Sequence, residues 1–182
     1  MELFEAIRGR RAVRDFTPAG VEESTLMTLI DAAIQAPSAI DRQPWHFAVV
    51  RDQALLDRIS IAAKTHRLRS ESVVELRKLL EDPGFHIFYH APVLIVISAQ
   101  RHTPWIVEDC SLAAQNLMLA AHGTGLGSCW IGFAQDYLNT EEGRVMLKLP
   151  GDALAVAPII VGHPRSLPPP HARHAPQVSW VG

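Results

Sequence analysis

Two apolar runs constrain the fold of this chain more than any other feature. One covers residues 92–98 around Val93-Leu94-Ile95-Val96-Ile97, and the other covers residues 153–161. The first shows no alternation between apolar and polar positions. A strand of that kind is buried on both faces, so a buried strand is predicted at 93–97. The second run predicts the last strand of the chain. Both fall far short of the roughly 20 residues that a membrane-spanning helix needs, so no membrane association is expected.

The remaining periodicity is mostly helical. Leu3, Phe4 and Ile7 predict a short amphipathic helix, and Leu26, Leu29, Ile30, Ala33 and Ile34 a longer one that Pro37 ends. Residues 46–50 read as a strand. Asp52 caps a helix that buries Leu55, Leu56, Ile59 and Ala63. Ser72 and Glu75 match a capping box for the next helix. Residues 107–121 form a helix that is apolar nearly all round, and so central, with Gly123 as its stop. Residues 125–132 lead into an extended segment, and 140–149 form a short helix that Pro150 ends. Residues 65–89 are the most polar and irregular stretch, which either covers a site or dresses a surface.

The chain has 182 residues, 48% hydrophobic and 20% charged. That fits one domain, 1–182, with a sizeable core. Its 17 Lys and Arg against 19 Asp and Glu leave a formal net charge of -2. A nucleic-acid binder normally carries a basic excess, so no such partner is expected. An anionic ligand would need a local basic cluster. Cys110 and Cys129 form no CxxC pair and no zinc spacing. They read as small, half-buried thiols in a reducing cytosol. The first residues carry Glu2 and Glu5 without an apolar core, unlike a signal peptide, and a cytoplasmic location is expected.

Several constellations bear on chemistry. Residues 8–14 hold Arg8, Arg10, Arg11 and Arg14. Arginine forks match phosphate oxygens, and basic residues at a helix end also complement its dipole; both readings stand. Residues 36–45 form a stiff loop through Pro37, Ser38 and Pro44 to Trp45. It serves equally as a ligand cradle or as a proline-pinned connection. Gly123, Gly125 and Gly127 make no dinucleotide fingerprint, because position 130 is Trp and the run follows a helix.

His86 with His90, and His171 with His174, have ligand-like spacing, but no carboxylate or cysteine completes either set. No metal is therefore expected. Neither a Ser-His-Asp order nor a nucleophile elbow is present, and no base stands out for Cys129. The tail from His163 carries five of the 13 prolines. It hangs free or lies along a surface, such as that of a second subunit, and Trp180 favours the second option.

The pattern that joins these pieces runs through Arg10-Arg11-Ala12-Val13-Arg14-Asp15-Phe16, then Ala36-Pro37-Ser38 to Gln43-Pro44-Trp45, then Ala91-Pro92. It continues in Gly125-Leu126-Gly127-Ser128 to Trp130-Ile131-Gly132 and closes with Gly162-His163-Pro164 and Arg173. In this order and spacing it resembles the nitroreductase family of FMN-dependent oxidoreductases, over nearly the whole chain. The resemblance implies an α+β fold, a three-layer sandwich with a central, mostly antiparallel sheet. It implies an intertwined homodimer with FMN at the interface, and residues 163–182 as a proline-rich C-terminal extension packing on the dimer.

The resemblance also implies roles. Arg10 and Arg14 would hold the phosphate and ribityl end of FMN, joined by Arg173, with Arg11 and Ala12 at the same turn. Pro37, Ser38, Ala39 and Asp41 would reach the flavin from the second subunit. Trp130, Ile131 and Gly132 would lie along its ring, with the Gly132 N–H near the reactive N5. Three positions depart from the family pattern: Ala12 stands for a usual Ser, Asp41 for a usual Asn, and Ile131 for the Glu of some relatives. NAD(P)H would reduce the flavin, and a small nitroaromatic or quinone-like acceptor would then take the electrons in the same cleft, a ping-pong scheme. That scheme needs no side-chain acid or base, so no catalytic residue is named. His66, Arg67 and Arg69 are candidates for the nicotinamide nucleotide. A same-fold flavoenzyme for another reaction, flavin destruction or dehydrogenation of a metabolite, and a non-catalytic FMN-binding module stay open.

Overall fold

The computed structural model describes residues 1–101 and 104–182. Strands β1 (Trp45–Val50), β2 (Val93–Ala99), β3 (Gly127–Trp130) and β4 (Leu154–Gly162) form one sheet in the order β1-β2-β4-β3. Every pairing in it is antiparallel. The two apolar runs are β2 and β4, side by side at its centre. All of β2 is buried, as is β4 beyond Leu154.

Burial on both faces has a simple cause. Val93, Ile95, Ile97 and Ala99 of β2 enter one core with Ala157, Ile159 and Val161 of β4. Leu94 and Val96 enter a second core with Ala155 and Ile160. Helices α2 (Glu23–Ala33) and α5 (Ile106–Gly123) supply the first core, and α1 (Leu3–Gly9) packs on α5. Helices α3 (Gln53–Leu68) and α6 (Gly132–Leu138) supply the second, with α4 (Val74–Glu81) against α3 and α7 (Glu141–Met146) against α6. The result is the expected three-layer α+β sandwich. Among the described residues no helix is long and apolar enough to cross a membrane.

Local signals succeed where the chemistry is local. Asp52 caps α3, its Oδ1 accepting from the Ala54 and Leu55 N–H groups at 2.9 and 3.3 Å. Thr140 caps α7 by accepting from the Gly143 N–H at 3.1 Å. The capping box at Ser72 and Glu75 does not form. Val73 occupies the N-cap of α4, and Glu71 accepts from the Val73 N–H at 2.9 Å. That bond is the largest cause holding the Glu71 carboxyl below its ordinary value. A carboxylate accepts more strongly than a hydroxyl, and Glu71 is already fixed by Arg67 at 3.0 Å.

Other expectations shift in detail. Gly123 is the last residue of α5, and the left-handed position is Gly125, at φ 79°. Helix α6 replaces the expected extension beyond Ile131. Both cysteines are fully buried rather than half-buried. Burial, then Asp109, pushes the Cys110 thiol up to about 12, and burial also raises that of Cys129 against the lowering influence of Arg14 and Arg10.

Candidate functional site

Between α1 and α2 the chain runs along the outer edge of β3. The Val13 N–H donates to the Ser128 carbonyl at 3.0 Å, and Ala12 bridges Ser128 in parallel. Val13 is buried behind this bridge, whereas Arg14 reaches outward. Gly127 makes the approach possible, since a Cβ there would lie 2.8 Å from the Val13 Cβ.

The tail is fastened beside this segment. Phe16 bridges Pro164, and the Thr17 N–H donates to the His163 carbonyl at 2.9 Å. Arg165 Nε lies 3.2 Å from Asp15 Oδ1, and its Nη2 donates to the Phe16 carbonyl at 3.0 Å. Beyond this clamp, Ser166, Pro168, His171 and Arg173 close a cavity of about 450 Å³ against Arg10, Arg11, Ala12, Arg14 and Asp15.

The charge in this cavity is unbalanced. Among the described residues Arg10, Arg14 and Arg173 make no ion pair, and Asp15, the one carboxylate of the lining, is engaged by Arg165. Arg11 behaves differently. Its Nη1 donates to the Arg8 and Arg10 carbonyls at 2.7 and 2.9 Å, and its Nε is buried without a partner. It closes the C-terminal end of α1, as the dipole reading of the cluster expects. Burial, then Arg10 and Arg11, depresses the pKa of the adjoining His122.

A second cavity, of about 350 Å³, continues from Arg14 to Arg67, Tyr89, Trp130, Ile131, Gly132 and Phe133. The Arg14 guanidinium sits 5.8 Å from the Tyr89 ring centroid, a cation–π distance. Phe85 meets Tyr89 and Phe133 edge-on, at 5.6 and 6.1 Å. Burial, against the influence of Arg14, raises the Tyr89 phenol. The floor is set by β4: the Ile131 N–H donates to the Pro158 carbonyl at 2.8 Å. Pro158 lacks an N–H on that same side, and β3 has already ended there at Trp130, so a central strand tolerates it. Gly132 then opens α6, where first-turn N–H groups have no acceptor within the helix.

The structure therefore gathers Arg10, Arg11, Ala12, Arg14 and Arg173 at one cavity, and Trp130, Ile131 and Gly132 with Arg14 at the next. Pro37, Ser38, Ala39 and Asp41 line neither. Their loop is held by the buried Asp109, whose Oδ1 accepts from the Ala39 N–H at 2.9 Å and whose carbonyl accepts from Trp45 Nε1 at 2.9 Å. Ile40, Asp41 and Gln43 adopt φ of 47°, 53° and 49°, and Asp41 Oδ1 accepts from Gln43 Nε2 at 2.9 Å.

The polar segment divides. Arg67 lines the second cavity, but Glu71 at 3.0 Å and Asp136 at 2.8 Å hold it, and these bonds, Glu71 first, raise its pKa. His66 and Arg69 line a different cavity, of about 830 Å³, with Tyr137 and Glu141. The three residues thus divide between two cavities, Arg67 at one and His66 and Arg69 at the other. Tyr89, Phe133, Ser166 and His171 are site residues that the sequence reading misses. Helical spacing from Gly132 to Leu138 could have revealed Phe133; no spacing rule reveals Tyr89. One further expectation changes: the carboxylate missing beside His86 and His90 is Asp57, on α3.

The model of the Nitroreductase family matches residues 7–163. The chain belongs to the nitroreductase family. A protein of Methanothermobacter thermautotrophicus, provisionally named NADH dehydrogenase/NAD(P)H nitroreductase, is 32% identical over 92% of this chain and 80% of its own. An iodotyrosine deiodinase of Thermotoga neapolitana is 28% identical over 69% of this chain and 71% of its own. A crystal structure of a Bacteroides fragilis nitroreductase with bound FMN superposes with a TM-score of 0.88 at 25% identity, covering 100% of both chains.

Proposed function

We propose that this nitroreductase-family chain is an FMN-dependent NAD(P)H oxidoreductase that reduces nitroaromatic or quinone-like acceptors with ping-pong kinetics. One observation carries the reading. Arg10, Arg14 and Arg173 converge on one cavity with no carboxylate partner among the described residues, and Arg14 joins it to a second cavity walled by Trp130, Ile131 and Gly132. A ligand with a phosphate at one end and a flat ring at the other fits that pair of spaces.

Arg10, Arg14 and Arg173 would hold the phosphate end, and Ile131, Gly132 and Trp130 would flank the ring. Arg11 contributes charge and the end of α1 rather than a free fork, and Ala12 contributes backbone without a hydroxyl. When bound, FMN supplies reversible two-electron exchange, while the protein supplies placement and electrostatics. Arg14 faces both cavities, so its charge favours negative charge at the near edge of the ring. Buried Ile131 and half-buried Phe133 keep water from that edge.

A homodimer completes this proposal. Leu3, Phe4 and Ile7 on α1 are 63%, 67% and 50% exposed, and Trp180 in the tail is 94% exposed. Large apolar groups in such numbers suit a subunit interface. Pro37, Ser38, Ala39 and Asp41 then reach the cofactor of the second subunit, and the tail beyond Arg173 packs on the dimer.

The purified chain should be yellow and bleach anaerobically with NADH or NADPH, and a nitroaromatic or a quinone should restore the colour. A colourless protein that takes up no FMN would sink the proposal. FMN that NAD(P)H cannot reduce would point to a binding module. The similarity to an iodotyrosine deiodinase supports a second reading, the same fold with another specific acceptor. Bleaching that iodotyrosine reverses, and nitro compounds and quinones do not, would favour it.

A further inference from the structure

We propose that Asp57, His86 and His90 form a binding site for a first-row divalent cation such as Zn²⁺, on the turn that carries Tyr89. The ion site stands apart from the cofactor reading. One ligand atom from each of the three residues lies within 4.8 Å of the others. Asp57 Oδ1 and His86 Nε2 are 3.2 Å apart. Two ligands of a tetrahedral zinc, each about 2.0–2.2 Å from the metal, stand about 3.3–3.6 Å apart, so this pair already has nearly the needed spacing. The His90 ring lies 4.5 Å from the His86 ring, tilted by 31°. His90 is exposed and free to close the remaining distance. Two imidazoles with one carboxylate suit zinc and its neighbours, whereas Mg²⁺ and Ca²⁺ prefer oxygen ligands.

The state of His86 supports the assignment. Its Nε2 is buried and makes no well-formed hydrogen bond, although Asp57 is close. Lys64, the nearby cation, donates to the Asp82 and Phe85 carbonyls at 2.6 and 2.7 Å.

Ligation has a structural consequence. His86 Nδ1 accepts from the Phe88 N–H at 3.2 Å, which leaves the ring proton on Nε2. Binding an ion through Nε2 moves that proton to Nδ1, and the contact with Phe88 is given up. The next residue is Tyr89, whose N–H donates to the His86 carbonyl at 2.8 Å. Tyr89 and His90 both hold left-handed φ, 51° and 53°, a conformation that costs energy in non-glycine residues. An ion on Asp57, His86 and His90 thus acts on the turn that sets one wall of the second cavity.

The test uses the full chain loaded with FMN and stripped with a chelator. Titration with Co²⁺, read by its visible absorption and displaced by Zn²⁺, should give one ion per chain. Asp57→Asn and His90→Gln change exposed side chains, and retained circular dichroism will show that both variants fold. Each should weaken binding about tenfold or more. His174→Gln, in the histidine pair of the tail, should leave it unchanged. Absence of binding, binding that survives both Asp57→Asn and His90→Gln, or loss on His174→Gln overturns the site. Zinc should also shift the acceptor KM of the parent chain and not that of His90→Gln. An equal shift in both, or none in either, overturns the link to Tyr89.

Discussion

Asp15 Oδ1 lies 3.2 Å from Arg165 Nε, and this pair does two things at once. It fastens the tail beside the arginine segment, and it engages the one carboxylate that lines the cavity of Arg10, Arg14 and Arg173. Both side chains are 60% exposed, so the pair itself contributes less than about 1 kcal/mol. Arg165→Ala also removes the bond to the Phe16 carbonyl. It is expected to raise the FMN Kd about two- to fivefold with little change in Tm, a loss of roughly 0.4–1 kcal/mol. Fluorescence titration of FMN, beside a thermal melt of the same samples, checks both halves.

Arg10→Ala and Arg173→Ala should cost far more. On the proposed placement each would remove a hydrogen bond to the FMN phosphate, worth about 1.5–3 kcal/mol, or roughly ten- to a hundredfold in Kd. Arg11→Ala should differ in kind, because its Nη1 is engaged by the Arg8 and Arg10 carbonyls. It should destabilise α1 more than it weakens FMN. An FMN Kd unchanged in both Arg10→Ala and Arg173→Ala would refute the phosphate assignment.

What is legible in the sequence depends on how local each cause is. The strands β2 and β4 are legible because burial on both faces leaves no alternation. The Asp52 cap is legible because donor and acceptor lie within three residues. The α4 cap is not, since Glu71 wins over Ser72 only once Arg67 on the preceding helix fixes it. Arg10, Arg14 and Arg173 enter as a group only through the family resemblance, and the Phe16–Pro164 bridge that brings them together obeys no spacing rule. Asp57 beside His86 is invisible for the same reason: the contact exists only after α3 packs against the 86–90 turn.

Stability should fall as the medium turns mildly acidic, and His86 is one cause. Its folded pKa lies below the ordinary 6.5, first through burial. Above that value the group is neutral in both states and contributes nothing. As pH drops through about 6.5 the unfolded chain takes up the proton first, so unfolding becomes easier until the folded pKa is passed. His122 shifts in the same direction, through burial and then Arg10 and Arg11. Urea unfolding between about pH 5 and 8, with chelator present, should show this slope, and His86→Gln should flatten part of it. An identical slope in His86→Gln would assign the effect elsewhere.

Gly127→Ala tests whether close packing places the arginines. A Cβ at this position would lie 2.8 Å from the Val13 Cβ and Cγ1, closer than real carbon contacts allow. Val13 is buried and is held by its N–H bond to the Ser128 carbonyl, so it cannot swing aside. The added methyl must push the arginine segment away from β3. Overpacking of this kind costs about 1–3 kcal/mol, and the displaced Arg14 should weaken FMN as well. Val13→Ala in the same chain removes the Cγ1 and Cγ2 contacts but keeps the 2.8 Å contact with Cβ, so it should restore only part of the FMN affinity. FMN binding that Gly127→Ala leaves intact, at reduced stability, would mean that the arginines find their ligand without help from β3.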